Sequence, residues 1–68
     1  MLAKNKLKEI REQMLLSKAE LARKAGVSPM TIDRIENAEN CRMETMRKVL
    51  VALDISLEDR GRVFPDLT

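Results

Sequence analysis

Apolar residues recur along this chain at the spacing expected of helices that bury one face. Leu7, Ile10 and Met14 lie three and four residues apart, as residues on one side of a helix do. Read in this way, the whole sequence predicts five helices and a tail, at about residues 4–15, 18–25, 29–37, 43–53, 57–60 and 61–68. No segment shows the alternation of a half-buried strand. We therefore predict an all-α fold.

The second, third and fourth helices are predicted to be amphipathic. Their inner faces are expected to form the core, through Leu21, Ala22, Ala25, Ile32, Ile35, Met46, Val49, Leu50 and Leu53. The opposite face of the third helix is predicted to be exposed, and it carries Met30, Asp33, Arg34 and Asn37.

Two helix starts lie close together in the first half of the chain. Ser17 with Glu20 three residues later is the pattern of a capping box, and Ser28 followed by Pro29 opens a second helix. Gly26, between them, can take a positive φ without steric cost. The sequence therefore predicts a tight helix pair.

The end of the chain carries a similar serine–acid pattern. Ser56 and Asp59 are predicted to form a capping box that opens the fifth helix, and Gly61 to end that helix. In the tail, Phe64 is the only aromatic residue. We expect Phe64 to fold back on the core or to meet a second subunit.

Composition excludes several classes of function. Sixty-eight residues, 44% hydrophobic and 35% charged, predict one small domain without room for a separate ligand-binding domain. With no histidine, no Gly-rich phosphate loop and a single cysteine, Cys41, we expect no metal, no cofactor and no catalysis. The chain has neither a membrane-spanning run nor a signal peptide, so we expect a cytoplasmic protein.

The positive charge is concentrated in one part of the chain. Residues 1–48 carry eleven Lys and Arg against seven Asp and Glu, a net +4, while residues 49–68 carry two against four, a net −2. The basic part contains the capped helix pair. That distribution favours a polyanionic partner.

Three segments together resemble the phage repressor and Cro-like helix-turn-helix proteins, also called the xenobiotic-response-element family. They are L-K-E-I-R-E-Q, then L-S-K-A-E-L-A-R-K-A-G-V-S-P-M-T-I-D-R-I-E-N-A, then R-M-E-T-M-R-K-V-L-V-A-L-D-I-S-L. The resemblance covers about residues 7–57. It implies a five-helix, lambda-repressor-like domain whose second and third helices form the helix-turn-helix, with the third helix entering the major groove of DNA.

The resemblance also implies roles for residues of the helix pair. Pro29, Met30 and Arg34 match positions that contact base edges, and Thr31 and Asp33 lie beside them. The matching phosphate-contacting positions are Ser17, Lys18, Ser28, Asn37 and Arg42. Arg11 and Glu36 match a partly buried structural ion pair between the first and third helices. Asp33 is expected to repel phosphate unless it accepts a hydrogen bond from cytosine or pairs with a neighbouring cation.

Some positions depart from the family pattern. Lys18 stands where relatives usually have glutamine, and we expect it to exchange a brace to the recognition helix for a stronger phosphate contact. Leu15, Ala38 and Asp54 stand where relatives often have glycine at helix ends. A left-handed leucine costs about 1–2 kcal/mol, so we expect the turn at Leu15 to be built differently.

The predicted function is that of a sequence-specific transcriptional regulator. We expect a prophage-type or accessory repressor, bacterial or phage-encoded and associated with the nucleoid. It is predicted to bind a palindromic operator as a homodimer, through the fourth and fifth helices and the tail, with Val51 and Phe64 as apolar contacts. Two alternatives remain open: a protein-binding module such as the antitoxin of a toxin–antitoxin pair, and a structural helical domain that binds nothing.

Overall fold

The computed structural model describes residues 5–39 and 42–65. Within them it has no strand and five helices: α1 Leu7–Gln13, α2 Lys18–Ala25, α3 Pro29–Glu36, α4 Met43–Ala52 and the 3₁₀ helix α5 Leu57–Arg62. The prediction of an all-α fold is confirmed. In this part of the chain, none of the helices has the length and apolar content that crossing a membrane requires.

The helix bounds differ from the predicted ones mainly at the two ends of the chain. α1 begins at residue 7 and ends at residue 13, where the sequence predicted about 4–15, and α3 and α4 each end one residue early. The predicted start of the first helix at residue 4, and Cys41, lie outside the described residues.

The core forms around α2. This helix packs against α3 and α4, while α1 packs against α3, and α5 packs against α4. All of the core residues predicted from α2, α3 and α4 are buried, and so are Leu7, Ile55, Val63 and Phe64, whereas Met14, on the predicted apolar face of the first helix, is 41% exposed. Because α2 and α3 pack directly on each other, the outer face of α3 keeps a fixed position relative to the start of α2.

Phe64 belongs to this core. Its side chain is 1% exposed, its backbone N–H donates to the carbonyl of Arg60 over 2.8 Å, and the carbonyl of Val63 accepts from the N–H of Lys6 over 2.9 Å. Val63 and Phe64 therefore fold back on the core of the monomer. The prediction of Phe64 as a dimer contact is wrong, because burial in its own chain already removes this large ring from water.

Each of the helices α1 to α4 is followed by a residue in the left-handed region. The φ angles are 57° at Leu15, 71° at Gly26, 62° at Ala38 and 59° at Asp54. After each one, the next residue donates its N–H to the carbonyl five positions earlier, over 2.9–3.1 Å, which is the Schellman arrangement. The expectation of a different turn at Leu15 is wrong, because these hydrogen bonds satisfy the last carbonyls of the helix only in this conformation.

The two helix starts around Gly26 form as predicted. The Ser17 hydroxyl accepts from the Glu20 N–H over 3.0 Å, and the Glu20 carboxylate accepts from the Ser17 N–H over 3.0 Å. The Ser28 hydroxyl accepts from the N–H of Thr31 over 3.2 Å. Short-range hydrogen bonds therefore determine where α2 and α3 begin.

The start and end of α5 differ from prediction. The Ser56 hydroxyl donates to the Asp59 carboxylate over 3.2 Å and makes no capping bond to the backbone. The helix continues through Gly61 to Arg62. The N–H of Asp59 donates to the carbonyl of Ser56, so the predicted capping box does not form, and Gly61 does not end the helix.

Candidate nucleic-acid interface

α1 and α3 are joined by a nearly buried ion pair. Arg11 Nε donates to Glu36 Oε2 over 2.6 Å and Arg11 Nη2 to Glu36 Oε1 over 3.3 Å, and the two side chains are 9% and 5% exposed. Arg11 Nη1 also donates to the carbonyl of Leu16 over 2.9 Å. The hydrogen bond to Glu36 raises the pKa of Arg11. This pair connects α1, the turn before α2, and the end of α3, so it sets the angle of α3.

The exposed part of the helix pair has Asp33 at its centre. Asp33 Oδ1 accepts from Lys18 Nζ over 2.6 Å, and Asp33 Oδ2 accepts from Asn37 Nδ2 over 3.3 Å. Three predicted site residues, from the start of α2 and along α3, therefore meet in one hydrogen-bonded network. We call these three residues the Asp33 network.

The hydrogen bond between Lys18 and Asp33 shifts both of their pKa values in the direction that favours the charged forms. The hydrogen bond from Lys18 lowers the pKa of Asp33, and the same bond raises the pKa of Lys18. The expectation that Lys18 does not hold the recognition helix in place is wrong, because its ammonium donates directly to Asp33 of α3. Of the two roles considered for Asp33, pairing with a neighbouring cation is the one observed.

Arg34 and Met30 lie one turn apart on the exposed face of α3. Met30 is 62% exposed, and Arg34 Nη2 lies 3.5 Å from the Met30 sulfur. Pro29 is also exposed at the start of the helix. The long guanidinium side chain of Arg34 therefore projects from α3 with its hydrogen-bond donors accessible.

The starts of α2 and α3 present hydroxyl groups and backbone N–H groups. Ser28 Oγ and Thr31 Oγ1 lie 3.0 Å apart, so one of these two hydroxyls keeps a proton to donate elsewhere. At α2, the capping box occupies the N–H groups of Ser17 and Glu20, and hydrogen bonds from the backbone and side chain of Ser17 lower the pKa of Glu20. The N–H groups of the first helical turn and the positive end of the helix dipole favour anions.

Arg42 lies apart from these residues along the chain, as the residue preceding α4. It is exposed. Within residues 5–39 and 42–65, no hydrogen bond or ion pair in the structure joins it to the Asp33 network. Its inclusion in one surface with Lys18 and Asn37 stays a prediction.

Sequence reasoning missed Asn5. Its Nδ2 donates to the carbonyl of Ile35 over 2.6 Å, and its Oδ1 accepts from the N–H of Leu7 over 3.1 Å. The Asn5 side chain thus bonds the first N–H of α1 and the carbonyl of Ile35 near the end of α3. Asparagine is frequent at helix starts, but the predicted first helix began at about residue 4 and so placed Asn5 inside the helix. In the described part of the chain, no group of acidic, histidine or cysteine side chains is arranged to hold a metal ion.

Comparison with known proteins assigns this architecture to a family. The sequence profile of the helix-turn-helix family HTH_3 matches residues 7–60, a range that contains α1 to α4 and every predicted site residue. The chain belongs to the Cro/C1-type helix-turn-helix family. Among curated proteins, none matches the chain.

Members of this family are DNA-binding transcriptional regulators, and this chain is one of them. In the helix-turn-helix, the second helix of the pair lies in the major groove while the first crosses the DNA backbone. In this chain the two helices are α2 and α3. The exposed face described above, with Arg34 and the Asp33 network, is the face that the fold turns outward from the core.

Proposed function

We propose that the chain is a repressor that binds a palindromic operator as a homodimer and reads its sequence with α3. The observation that carries this proposal is the position of Arg34, exposed on α3 and flanked by the Asp33 network. A base-reading donor and phosphate-binding donors on one face are the combination that sequence-specific binding requires.

Arg34 supplies most of the sequence preference in this proposal. Its guanidinium can donate two parallel hydrogen bonds to O6 and N7 of guanine. Pro29 and Met30 have no donors, so they offer apolar contact to a thymine methyl group. Thr31 and Asp33 lie beside these residues, and Asp33 is occupied by its two partners.

The phosphate contacts are assigned to Ser17, Lys18, Ser28, Asn37 and Arg42. These side chains position the domain on the duplex without reading its sequence. The assignment is supported by the hydroxyl groups at the two helix starts and by the side chain of Lys18, which is 44% exposed. Lys18 has three donors and uses one for Asp33, so the others remain for a phosphate oxygen.

The homodimer is proposed from the size of the domain and from its apolar surface. One copy measures 26 Å in its longest dimension, whereas successive major grooves on one side of DNA lie about 34 Å apart. Two copies are needed to read both. The proposed contact surface is formed by α4 and α5. Val51 is 69% exposed on this surface, and Met43 and Leu57 are exposed there as well.

A second function, a protein-binding module such as an antitoxin, is favoured by one observation. Between α4 and α5 lies an open groove of about 600 Å³, lined by Met43, Met46, Leu50 and Leu57 among others. Apolar grooves of this kind accept protein partners. Binding of the groove by another protein and binding of DNA by α3 are separable by experiment, because the two surfaces use different residues.

Selection of duplexes from a random DNA pool at two salt concentrations tests the proposed function. We expect enrichment of an inverted repeat that contains a guanine in each half, with preference surviving at the higher salt. Nonspecific binding falls steeply with salt, whereas base contacts persist. Failure to enrich any sequence at low salt would contradict the specific-regulator proposal. Enrichment of a single, unrepeated half-site would contradict the homodimer on DNA.

A further inference from the structure

The carboxylate of Asp33 occupies two side chains that the proposed interface assigns to phosphate. One oxygen lies 2.6 Å from Lys18 Nζ and the other 3.3 Å from Asn37 Nδ2. A carboxylate and a phosphate are both anions that accept hydrogen bonds from the same donors. In the free protein, Asp33 therefore takes one donor from each of two side chains that are assigned to phosphate.

This arrangement has two physical effects on DNA binding. First, the pair of Lys18 and Asp33 has no net charge, and Asp33 itself repels phosphates, so the face gains less from counterion release. Second, the carboxylate holds Lys18 and Asn37 at fixed positions relative to α3. Fixing donors in advance lowers the entropy lost when they bind in a single geometry.

The two effects act differently on different DNA sequences. Binding to nonspecific DNA depends on total charge and does not require each side chain to have one position. Binding to an operator requires the phosphates and bases to be contacted in one register. The charge effect weakens both modes, whereas the fixed donors help only the operator mode.

We propose that Asp33 is a specificity-determining residue, which holds Lys18 and Asn37 in register while lowering the affinity of α3 for nonspecific DNA. This inference rests on the proposed function, because it assumes that α3 and the start of α2 lie against the duplex. It assigns to Asp33 a repulsive role of the kind that discriminates between partners. Asp33 makes no base contact in this proposal.

The test is Asp33→Asn, which removes the charge and keeps the shape of the side chain. Affinities for a selected duplex and for a scrambled one are measured by fluorescence anisotropy at about 50 and 200 mM salt. We expect Asp33→Asn to bind the scrambled duplex more tightly than the unchanged chain does. The ratio of its affinity at about 50 mM salt to its affinity at about 200 mM salt should be about threefold larger than that of the unchanged chain, which is the effect of one additional phosphate contact. Preference for the selected duplex should fall.

Two further variants control for net charge. Asp54→Asn makes the same change of charge in the turn after α4, and we expect it to leave the salt dependence unchanged. The double variant Lys18→Gln with Asp33→Asn again has an uncharged pair, so its salt dependence should return to that of the unchanged chain. Equal effects of Asp33→Asn and Asp54→Asn would overturn the inference, as would unchanged salt dependence or unchanged preference in Asp33→Asn.

Two controls distinguish a failure of this inference from misfolding of the variant and from a failure of the proposed function. The Asp33 side chain is 49% exposed, so Asp33→Asn is expected to fold, which a thermal melt checks. If it does not fold, Asp33→Glu must keep the salt dependence and weaken the preference, and any other outcome overturns the inference. Absence of DNA binding by the unchanged chain overturns both proposals, whereas binding with no effect of Asp33→Asn overturns this one alone.

Discussion

At the scale of single residues, the exposed face of α3 is unusual in how few donors it offers to bases. Pro29 and Met30 carry none, Asp33 is engaged by Lys18 and Asn37, and Arg34 rests beside the Met30 sulfur. The contact with the Met30 sulfur involves one nitrogen of the guanidinium, a group that has five N–H donors. Sequence preference is therefore expected to depend strongly on Arg34.

We predict that Arg34→Ala lowers operator affinity by about 1–3 kcal/mol, the discrimination that one forked arginine–guanine contact provides. Binding to scrambled DNA should fall much less. Titration of both duplexes by anisotropy measures the two effects. Arg34→Lys keeps the charge but not the fork, so it should also lose preference.

Arg23→Ala is the matched control for Arg34→Ala, because Arg23 is an exposed arginine on α2. It is expected to keep the preference for the operator. If Arg23→Ala and Arg34→Ala reduced operator binding equally, Arg34 would be acting as a surface charge and not as a base-reading residue.

At the scale of elements, four helices end in the same way with different residues. Gly26 takes its left-handed conformation without steric cost, and an added Cβ would meet nothing within 4 Å. Leu15, Ala38 and Asp54 take nearly the same φ. For these three the backbone conformation carries a steric cost that glycine lacks. The helix ends of this chain are therefore not at their stability optimum.

We predict that Leu15→Gly stabilises the protein by about 0.5–1 kcal/mol, the left-handed cost of leucine less the extra chain entropy of glycine. Leu15 is 89% exposed, so little burial is lost. The melting temperature should rise by a few degrees, at about 4–8 °C per kcal/mol for a domain of this size. Thermal unfolding measures the change.

Gly26→Ala provides the opposite change at an equivalent position. With open space around the new Cβ, its destabilisation, about 1 kcal/mol, reports the backbone conformation alone. A loss of stability in Leu15→Gly would contradict the prediction and would show that the leucine side chain stabilises the turn.

At the scale of the whole molecule, the packing of Val63 and Phe64 into the core determines which apolar surface stays exposed to a partner. With Phe64 buried, the exposed large hydrophobic side chains among residues 42–65 are Met43, Val51 and Leu57. Met43 and Val51 lie eight residues apart on α4, which places them on one side of the helix. This face is separate from the exposed face of α3, so a second copy can bind it while both copies hold DNA.

We predict that Val51→Glu prevents dimerisation, since it places a charge in the apolar contact. Sedimentation at micromolar concentration, alone and with an inverted-repeat duplex, should show dimers of the unchanged chain and monomers of the variant. Met14→Glu makes the same kind of change at a 41% exposed position directly after α1 and should remain dimeric. A monomer in both conditions for the unchanged chain would contradict the homodimer.

Much of the site could be predicted because its local parts lie close together in the sequence. The serines that start α2 and α3 bond to residues three positions later, and the exposed face of α3 follows from helical spacing. At Ser56, the same kind of local pattern did not predict the structure. The same serine–acid spacing gave a 3₁₀ turn without a cap, because the pattern does not distinguish between the two helix types.

The sequence by itself determined where the four α-helices lie, which faces they bury and, through the family resemblance, that Arg11 pairs with Glu36. The helix positions and their buried faces depend on hydrogen bonds within a few residues and on the period of apolar positions, whereas the pairing of Arg11 with Glu36, 25 residues apart, came from the resemblance. Only the tertiary structure decided that Phe64 is buried, that Asn5 holds the end of α3, and that Lys18 is bonded to Asp33. Each of these contacts joins residues distant in the chain, and their meeting depends on how the helices pack.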